Sequence, residues 1–551
     1  MKKDEDFSEW YNNIIRDTKI IDDRYPIKGM PVYTNYGYFM IKKILSELEK
    51  LLDSEGFSAY WFPILIPYEI FRKESEHIKG FEKEVFYVKP SNPVEEEVET
   101  VYILRPTSET EMYYMFSLWI KSYRDLPLLT YMTNTVYRYE TKATKPLIRG
   151  REILWNEAHT VHKDRDDAER MIVKSMEIYS KIFWEFLSIP HFWVMRPDWD
   201  KFAGADYTMA ADTILPDGKF LQIGTTHLLG RNFSKAYNIV FEDRHPLVKI
   251  DKNKFESYDE NGHRYVFEID RDLLTITGGN LIIKSKIYYQ GEISEDNVDL
   301  VNTILDIFYK NVKDVKLVNK KYVWQTSFGI SMRTLAAVIS IHGDDIGLIL
   351  PFNLAPIQIV IIPIYQKEYD NSKILDYCNK IYNILKDKYR VKLDLSEDRT
   401  PGWKFNEYEK MGVPIRIEIG KKEVENNTVI VSVRKFNSQS QKYEIDFTYL
   451  LSSLENIISD YEKELKNRSQ EYIKSKIIKI ESLDELKNNL GNKLAFKIPF
   501  CMDEKCAENA KRAFSIDIRG IDYNNPEKAD GKKCIFCGRE AKYYVYAGKS
   551  Y

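Results

Sequence analysis

Residues 151–159 read REILWNEAH, in which charged residues surround a central Ile-Leu-Trp. In a β-strand, alternate side chains lie on opposite faces. One face would then carry Ile153, Trp155, Glu157 and His159, and the other Leu154, Asn156 and Ala158. An aromatic ring beside a carboxylate and an imidazole favours the floor of a binding pocket, because a buried charge needs a partner. An edge strand with a salt-bridged surface is the alternative that these nine residues leave open.

The composition limits the class of protein. A chain of 551 residues is too long for one core and predicts two to four domains. Its 44% hydrophobic and 30% charged residues are typical of a globular protein. The net charge of −3 neither indicates nor excludes a nucleic-acid partner, since local basic patches bind phosphates. We see no secretory signal and no apolar run long enough for a bilayer, so we expect a cytoplasmic protein without a membrane partner.

Changes in sequence texture predict the domain organisation. Short apolar runs alternate with charged helical segments and predict an α+β domain over residues 1–355, built on a largely antiparallel sheet. Within it, residues 243–320 differ in texture and predict an inserted subdomain. Strand–helix–strand alternation then predicts an α/β domain with a mixed sheet over 356–465, in which the apolar run 357–364 is a buried strand. Four of the five cysteines lie in the remaining domain, 466–551.

Polar residues at even spacing recur outside the opening stretch. They are Thr107 and Glu109 in RPTSET (105–110), Arg138 and Glu140 in YRYE (137–140), Thr225 and His227 after Gln222 in LQIGTTH (221–227), and Arg333 at the start of an apolar helix. Each pattern alone is typical of a solvated surface. Together they bring arginines, carboxylates and hydroxyls to adjacent strands, which favours an anionic, polyphosphate substrate. The sequence contains neither a Walker loop nor a GxGxxG motif.

The C-terminal cysteines have the spacing of a four-thiolate metal site. Cys501 and Cys506 are followed, after 27 intervening residues, by Cys534 and Cys537. This pattern favours structural rather than catalytic zinc, because four thiolates complete the coordination shell. Four free thiols, or two disulfides, are the alternatives, and a cytosolic setting disfavours disulfides. Cys378 lies on a helical stripe and is predicted to be a core residue.

Eleven stretches resemble those of class II aminoacyl-tRNA synthetases, and specifically prolyl-tRNA synthetases of the archaeal and eukaryotic type. They run in family order and cover most of the chain outside 243–320. They are FSEWY (7–11), HIKGFEKEV (77–85), RPTSET (105–110), SYRDLPL (122–128), RYETKATKPLIRGREILWNEAHTVH (138–162), KFAGADYTM (201–209), LQIGTTHLLGRNFSKAY (221–237), QTSFGISMR (325–333), HGDDIGLILP (342–351), LAPIQIVIIP (354–363) and PGWKFNEYEKMGVPIRIEIG (401–420).

The resemblance implies a fold and a reaction. The fold is a class II catalytic domain on an antiparallel sheet, then an α/β anticodon-binding domain, then a small α/β domain that binds structural Zn²⁺. The reaction is the activation of proline with ATP and Mg²⁺ to prolyl-adenylate and pyrophosphate, followed by transfer of proline to the 3′ end of tRNA(Pro). A homodimer is also implied, with Pro63 in its dimer-forming motif. No protein nucleophile is required, because positioning and charge neutralisation supply most of the acceleration.

The resemblance also implies roles for single residues. Arg138 and Arg333 are the implied catalytic residues: Arg138 contacts the α-phosphate and the proline carboxylate, and Arg333 the γ-phosphate. The other ATP-binding residues are Glu140, Arg149, Gln222 and Thr225. Thr107 and Glu109 bind the ring nitrogen of proline, and the pocket is completed by Trp155, Glu157, His159, Phe202, His227 and Ser331. Phe81 and Glu84 lie on loops that close over it.

The tRNA contacts are less determined by the residues. The stretch DRTPGWKFNEYEKMG (398–412) holds Arg399 and Lys404 beside two aromatic residues, and cations interleaved with aromatics suit unstacked bases. A solvated turn with core aromatics is the alternative. The resemblance favours Lys404 as a contact to an anticodon base, with Arg416 and Glu418 as alternates.

Two other functions stay open at this point. One is a synthetase paralogue with a different amino-acid specificity, and the other is a non-catalytic, synthetase-like binding or regulatory protein. The second predicts the loss of Arg138, Glu140 or Arg333, and all three are present. A threonyl enzyme is disfavoured, because its zinc site needs a cysteine that the catalytic region lacks. The sequence assigns no editing role to the insertion at 243–320.

Overall fold

The computed structural model describes the chain except Met1 and residues 76–83, 90–100, 142, 244–245, 260–262, 295–296, 314 and 368. Four groups of elements follow one another along the chain, and each has a hydrophobic core of its own. Among the described helices, none is both long and apolar enough to cross a bilayer.

The first group reaches residue 242 and supplies most of the central sheet. Its helices are α1 (Phe7–Asp17), α2 (Asn35–Ser54), α3 (Tyr68–Ser75), α4 (Glu109–Trp119), α5 (Arg165–Ser180), which continues as a π-helical turn (Lys181–Phe186), and α6 (Asn232–Tyr237). Its strands are β1 (Ile21–Asp22), β2 (Val32–Tyr33), β3 (Ser58–Ala59), β4 (Leu65–Pro67), β5 (Phe86–Val88), β6 (Tyr102–Leu104), β7 (Leu128–Tyr137), β8 (Glu152–His162), β9 (Phe192–Met195), β10 (Tyr207–Ile214), β11 (Phe220–Gly230) and β12 (Val240–Glu242).

The second group is a separate sheet with one helix, and it interrupts the first. Its elements are β13 (Val248–Asp251), β14 (Lys254–Asp259), β15 (Arg264–Asp270), β16 (Leu273–Gly278), β17 (Leu281–Lys286), α7 (Val298–Asn311) and β18 (Leu317–Val318). The five strands β13 to β17 pair in chain order, β18 pairs with β14, and α7 contributes to their core. The chain then returns to the first group with β19 (Lys320–Tyr322), β20 (Trp324–Ser331) and α8 (Arg333–His342).

The third group is the predicted α/β unit with a mixed sheet. It comprises β21 (Ile359–Pro363), α9 (Asn371–Leu385), β22 (Val391–Leu393), α10 (Pro401–Lys410), β23 (Ile415–Ile419), α11 (Lys421–Asn426), β24 (Thr428–Val433), β25 (Gln441–Asp446) and α12 (Leu450–Lys476). The strand order is β22-β21-β23-β24-β25, in which β21 lies parallel to both neighbours and the other pairs are antiparallel. All five residues of β21 are buried, which confirms the prediction for the apolar run 357–364.

The fourth group carries the clustered cysteines and extends the central sheet. It comprises β26 (Ile477–Lys479), α13 (Leu483–Asn489), β27 (Ala495–Phe500), α14 (Glu504–Phe514), β28 (Asp517–Asp522) and β29 (Tyr543–Gly548). Strand β28 pairs with β9 of the first group. One eleven-stranded sheet results, in the order β26-β27-β29-β28-β9-β10-β11-β20-β8-β7-β3, and only its two terminal pairings are parallel. The predicted, largely antiparallel sheet is therefore confirmed.

The central strands have one covered face. Helices α5 and α8 pack against β11 and β20 and close a large apolar core with residues such as Ala158 and Phe328. Because side chains alternate along a strand, the polar residues next to those core residues lie on the other face. That face is open to a cavity.

Candidate active site

Strand register brings the predicted polar residues to one face. In the pairing of β8 with β20, Trp155 lies opposite Ser331 and His159 opposite Ser327. In the pairing of β11 with β20, His227 lies opposite Ser327. The side-chain alternation predicted for residues 151–159 is confirmed. These residues line a cavity of about 290 Å³, together with Thr107, Glu109, Arg138, Glu157, Phe202, Gln222, Thr225 and Arg333.

Two stretches reach the cavity from irregular segments rather than from strands. We expected RPTSET and YRYE to alternate as strands. Instead β6 ends at Leu104 and α4 begins at Glu109, while β7 ends at Tyr137, just before Arg138. Thr107 donates a hydrogen bond to the Glu109 carboxylate across the start of α4. For RPTSET the strand prediction was wrong because Ser108 is the N-cap of α4 and the acidic residues after it lie in the first turn, where they favour a helix start. For YRYE it was wrong because β7 ends at Tyr137.

Gln222 reaches the cavity through a β-bulge. It lies three residues before Thr225, and in a regular strand the two would occupy opposite faces. Between β10 and β11, however, Ala211 pairs with Gly224 and Asp212 with Gln222, which leaves Ile223 without a partner. The extra residue returns Gln222 to the face of Thr225.

The inner end of the cavity holds a buried ion pair. Nε2 of His159 lies 3.1 Å from the Glu157 carboxylate, and Nδ1 lies 2.9 Å from the Tyr113 hydroxyl. Glu157 also accepts hydrogen bonds from Ser108 and, at 2.6 Å, from Asn134. Burial alone raises the pKa of Glu157, but these donors outweigh it and hold the pKa below its usual range. Burial lowers the pKa of His159, but Glu157 and Glu109 more than offset this and raise it, so the two form a charged pair.

Glu109 differs from Glu157 in its environment. Its pKa is raised, chiefly because the carboxyl is buried, with the nearby Glu157 charge adding to the effect and His159 opposing it. Thr107 is the hydrogen-bond donor to this carboxylate. A buried carboxylate of this kind favours a cationic ligand that restores its ionised form.

The outer end of the cavity is rich in arginine. Arg333 donates from Nε to the Ile148 carbonyl at 2.7 Å, and Arg138 donates from Nε to the Pro106 carbonyl at 3.1 Å. The pKa of Arg333 falls to about 10 through burial and through repulsion by Arg138 and Arg149. Arg149 lies 3.7 Å from the Glu140 carboxylate. Several guanidinium groups held this close favour a polyphosphate ligand, because anionic oxygens relieve their mutual repulsion.

Between the inner and outer ends, the part of the cavity wall formed around His227 is uncharged. The pKa of His227 falls to about 3 because the ring is buried and lies near His159. The neutral ring is held by Thr208, 2.8 Å from Nδ1, and by Thr225, 3.1 Å from Nε2. Phe202 covers it, with the ring centroids 4.7 Å apart.

Sequence reasoning missed three polar residues that hold this site. Asn134 lies opposite Trp155 on β7, and its Oδ1 accepts from the indole nitrogen at 2.9 Å. Asn134 lies four residues before Arg138, and this even spacing in a strand would have predicted that both side chains lie on the same face. Ser108 lies within RPTSET, yet its contact with Glu157 needs the tertiary structure. Arg196 follows β9 and lines the same cavity, but no motif in the surrounding sequence indicates a functional role for it.

The two predicted lid residues are described unequally. Phe81 lies outside the described residues. The backbone carbonyl of Glu84 accepts a hydrogen bond from the Tyr139 amide at 2.7 Å, which places Glu84 beside the segment that follows β7.

The predicted tRNA contacts are placed differently from one another. Lys404 is only 2% exposed, and its Nζ donates to the carbonyls of Asp394 and Ser396 at 3.1 and 2.5 Å. Arg399 is exposed and lies over the exposed Trp403 ring, 4.9 Å from its centroid.

The two alternates form a separate polar cluster. Arg416 lies over the Phe405 ring, 4.1 Å from its centroid. It bonds to Glu418 at 2.9 Å and to Glu409 at 3.1 Å. Arg416 and Glu418 are both buried, and Glu418 also accepts a hydrogen bond from Ser432, so the cluster is bonded mainly within the protein.

The four C-terminal cysteines converge in space. Cys501, Cys506, Cys534 and Cys537 place their sulfur atoms within 4.8 Å of one another. Cys506 and Cys534 are 3.8 Å apart, and Cys501 and Cys537 are 3.6 Å apart. Bonds of ~2.3 Å from sulfur to a tetrahedral zinc ion give sulfur separations of about 3.8 Å. The set fits zinc, and these separations are far longer than the ~2.05 Å of a disulfide.

Three segments of the chain match models of known protein families. Residues 92–250 match the "tRNA synthetase class II core domain (G, H, P, S and T)". Residues 358–457 match the "Anticodon binding domain", and residues 483–551 match "Prolyl-tRNA synthetase, C-terminal".

Whole-chain comparisons agree with these matches. The proline--tRNA ligase of Nanoarchaeum equitans is 48% identical, over 100% of this chain and 100% of its own length. That of Thermofilum pendens is 39% identical over 100% and 98%. The Giardia lamblia prolyl-tRNA synthetase, solved with prolyl-adenylate, superposes with a TM-score of 0.83 at 32% identity, covering 100% of this chain and 99% of that one. By its full-length similarity to these enzymes, the chain belongs to the prolyl-tRNA synthetase family.

Proposed function

We propose that this chain is an ATP-dependent proline–tRNA ligase. It activates proline with ATP to prolyl-adenylate and pyrophosphate, and it transfers proline to the 3′ end of tRNA(Pro). The observation that carries the proposal is a single cavity that joins a buried carboxylate pocket to a cluster of arginines. As a translation enzyme it acts in the cytoplasm.

The outer end of the cavity suits the activation step. The proline carboxylate attacks the α-phosphorus in line, and the bond to pyrophosphate breaks. Arg138 bridges the two ends of the cavity, so it neutralises charge at the α-phosphate while it holds the attacking carboxylate. Arg333 binds the γ-phosphate, and Arg149, Glu140, Gln222 and Thr225 complete the ATP site. Phe81 and Glu84 are the residues proposed to close over the proline pocket.

The inner end suits a small secondary ammonium. Thr107 and Glu109 bind the ring nitrogen of proline, which restores the charge that burial penalises on Glu109. Trp155, Phe202 and His227 enclose the ring, and Ser331 completes the wall. Glu157 and His159 support the pocket through their mutual ion pair. Such a pocket rejects smaller analogues weakly, since one missing methylene is worth about 1–3 kcal/mol.

Two metals accompany this proposal. Mg²⁺, bound with ATP, would supply further neutralisation of phosphate charge. Zn²⁺ is held by Cys501, Cys506, Cys534 and Cys537, where it stabilises the fold of the last domain. Support comes from the sulfur separations and from Arg539, which donates to Cys537 at 3.4 Å and to Cys501 at 3.8 Å. Donors to metal-bound sulfur are the usual second layer of such sites.

The tRNA anticodon is bound by the third group of elements. Arg399 and Trp403 form an exposed surface on which a base can stack. Lys404 contributes by ordering the loop at 394–396, since its ammonium group is bound there. Arg416 and Glu418 are the alternates for a base contact; both are buried, and they act by supporting the surface around Phe405.

A homodimer is supported by an exposed apolar patch. Trp61, Ile64, Leu65, Leu118 and Trp119 lie on and beside the segment before β4 and on α4, and Trp61 is 76% exposed. Patches of this kind usually mark protein interfaces. Pro63 lies within this segment, as expected for the dimer-forming motif.

The cores support the proposed domain boundaries, except that the core of the third group also includes Ile349 and Phe352. We propose residues 1–355 as the catalytic domain, with 243–320 as its insertion, 356–465 as the anticodon-binding domain and 466–551 as the zinc domain. The core of the insertion runs from Leu247 to Leu317, and that of the third group from Ile349 to Leu465.

Amino-acid-dependent ATP–pyrophosphate exchange tests the proposal. The protein is assayed with each of the twenty amino acids, without tRNA. The strongest exchange is expected with proline, and weak exchange with alanine or cysteine. Strongest exchange with another amino acid would favour the paralogue. No exchange by folded protein, with or without tRNA, would favour the non-catalytic alternative.

A further inference from the structure

A buried charge cluster joins the last domain to the central sheet. Asp212 of β10 is fully buried and lies between two arginines from different domains. Arg196 donates to both its oxygens at 3.0 and 2.8 Å, and Arg519 of β28 donates to both at 2.9 and 3.1 Å. Arg196 also donates to the carbonyl of Arg519 at 2.8 Å and lies 3.7 Å from Asp200.

A second β-bulge aims Arg519 at this cluster. In the pairing of β28 with β29, Ile518 lies opposite Ala547 and Gly520 opposite Tyr546, which leaves Arg519 without a partner. Gly520 has φ +129°, and a Cβ there would lie 2.0 Å from the Met195 carbonyl. The absence of a side chain lets β28 approach β9 closely, next to Arg196.

Arg196 carries the connection into the cavity. Its Nη2 donates to Oε1 of Gln222 at 2.9 Å. A guanidinium group only donates hydrogen bonds, so this contact fixes which way round the Gln222 amide lies. The amide oxygen faces Arg196, and the NH₂ group faces away and is oriented for an acceptor. Without Arg196 held in place, both orientations of the amide would be populated.

We infer that Arg519, in the zinc-binding domain, is a positioning residue for ATP binding, which acts through Asp212 and Arg196 on the amide of Gln222. The inference rests on the proposed function, in which Gln222 contacts ATP. Arg196 is held by both Asp212 oxygens and by the Arg519 carbonyl. When the Arg519 guanidinium is removed, Asp212 keeps one guanidinium partner, Arg196. Arg196 then moves toward Asp212 and away from Gln222.

The test is the Michaelis constant for ATP in proline-dependent pyrophosphate exchange by the full chain. Arg519→Met is expected to raise it roughly five- to tenfold, the scale of one hydrogen bond. The KM for proline and kcat should stay within about twofold, because no link of the chain touches the proline pocket. Arg512→Met is the matched control, since Arg512 is exposed on the same domain.

A double-mutant cycle separates positioning from general loss of structure. In a Gln222→Ala background, Arg519→Met should raise the KM for ATP clearly less than it does when Gln222 is present; a residual rise is expected because the Arg519 charge also acts on Arg333. Arg519→Lys keeps the charge of the cluster and is measured in parallel in both backgrounds, so a poorly folded Met variant does not end the test. It should give a smaller rise in the KM for ATP, and only when Gln222 is present.

Two results would overturn the inference. One is an unchanged KM for ATP in both folded Arg519 variants, and the other is an equal rise with and without Gln222. Failure of the proposed function would look different, because the unmodified protein would then show no proline-dependent exchange.

Discussion

Glu157 and His159 carry opposite charges inside the pocket, and the two side chains bind each other. Removing two charges from water costs several kcal/mol per ion. The attraction within the pair offsets this cost only if the remaining donors and acceptors of both side chains also form hydrogen bonds. Ser108, Asn134 and Tyr113 make them. The pair therefore forms a rigid floor, and Glu109 is left as the carboxylate that awaits a cation.

Glu109 predicts a pH dependence of proline binding. Its pKa is raised by burial, so protonation begins at a higher pH than for an exposed glutamate. Protonation would remove the charge that is proposed to attract the proline ammonium. The KM for proline should therefore rise as the pH falls toward and through this pKa. In Glu109→Gln the KM for proline should exceed that of the unmodified protein by roughly tenfold or more, and it should not depend on pH.

The same titration series contains its own control. The groups that face Glu109 are Thr107, His159, Glu157 and Arg138, and none of the first three is proposed to contact ATP. The KM for ATP should stay flat over the pH range in which the KM for proline rises. A KM for proline that varies with pH equally in Glu109→Gln would assign the titration to His159 or Glu157 instead.

At the scale of elements, strand periodicity predicted some of the site and failed where the backbone is irregular. Trp155, Glu157 and His159 lie on a regular strand, and simple alternation placed them correctly. Gln222 reaches the same face only because Ile223 is an extra residue. A bulge depends on how a strand fits its partner, so Gly224 beside it was the only local hint.

Gly520 gives a prediction at this scale. An alanine would combine an unfavourable φ of +129° with a Cβ 2.0 Å from the Met195 carbonyl. Gly520→Ala should separate β28 from β9 and destabilise the protein by roughly 3 kcal/mol or more, measured by thermal or chemical unfolding.

Gly531→Ala is the matched control for this substitution. Gly531 also has a positive φ, +72°, but a Cβ there meets nothing within 4 Å. It should cost only the backbone strain, about 1 kcal/mol. Equal losses in the two variants would show that the approach of β28 to β9 is not tight.

At the scale of the whole molecule, the union of two sheets could not be read from the sequence. The pairing of Met195 with Ile521 joins residues from different domains. Local patterns define each strand, but only tertiary packing selects such a distant partner. The domain order was accessible because each domain has its own periodicity and its own core.

Zinc content is a prediction about the whole chain. Purified protein should hold one zinc ion per chain by elemental analysis. Cys506→Ser should lose it and lower the Tm of the last domain by roughly 5–10 °C, because metal binding contributes directly to folding. Cys378→Ala is the control, since Cys378 is buried in a different core and should leave zinc unchanged. Full occupancy in Cys506→Ser would remove Cys506 from the ligand set.

The apolar patch predicts the oligomeric state. Leu118→Glu places a charge on its exposed part and should convert the proposed dimer to a monomer in sedimentation or light-scattering measurements. Leu451→Glu, on α12, changes an equally apolar exposed residue elsewhere and should leave the dimer intact. Dissociation by both variants, or by neither, would place the interface elsewhere.

The position of β28 beside β9 has a consequence for synthesis of the protein on the ribosome. Arg519 is added 323 residues after Arg196, the side chain it helps to hold. At about 5–20 residues per second, the nascent chain exposes the edge of β9 for roughly 15–60 s before its neighbour emerges. An uncovered strand edge attracts other strands, so this interval is when the chain most needs a chaperone. By the inference drawn above, an unfinished chain would also hold Gln222 less firmly than the finished enzyme does, and would bind ATP more weakly.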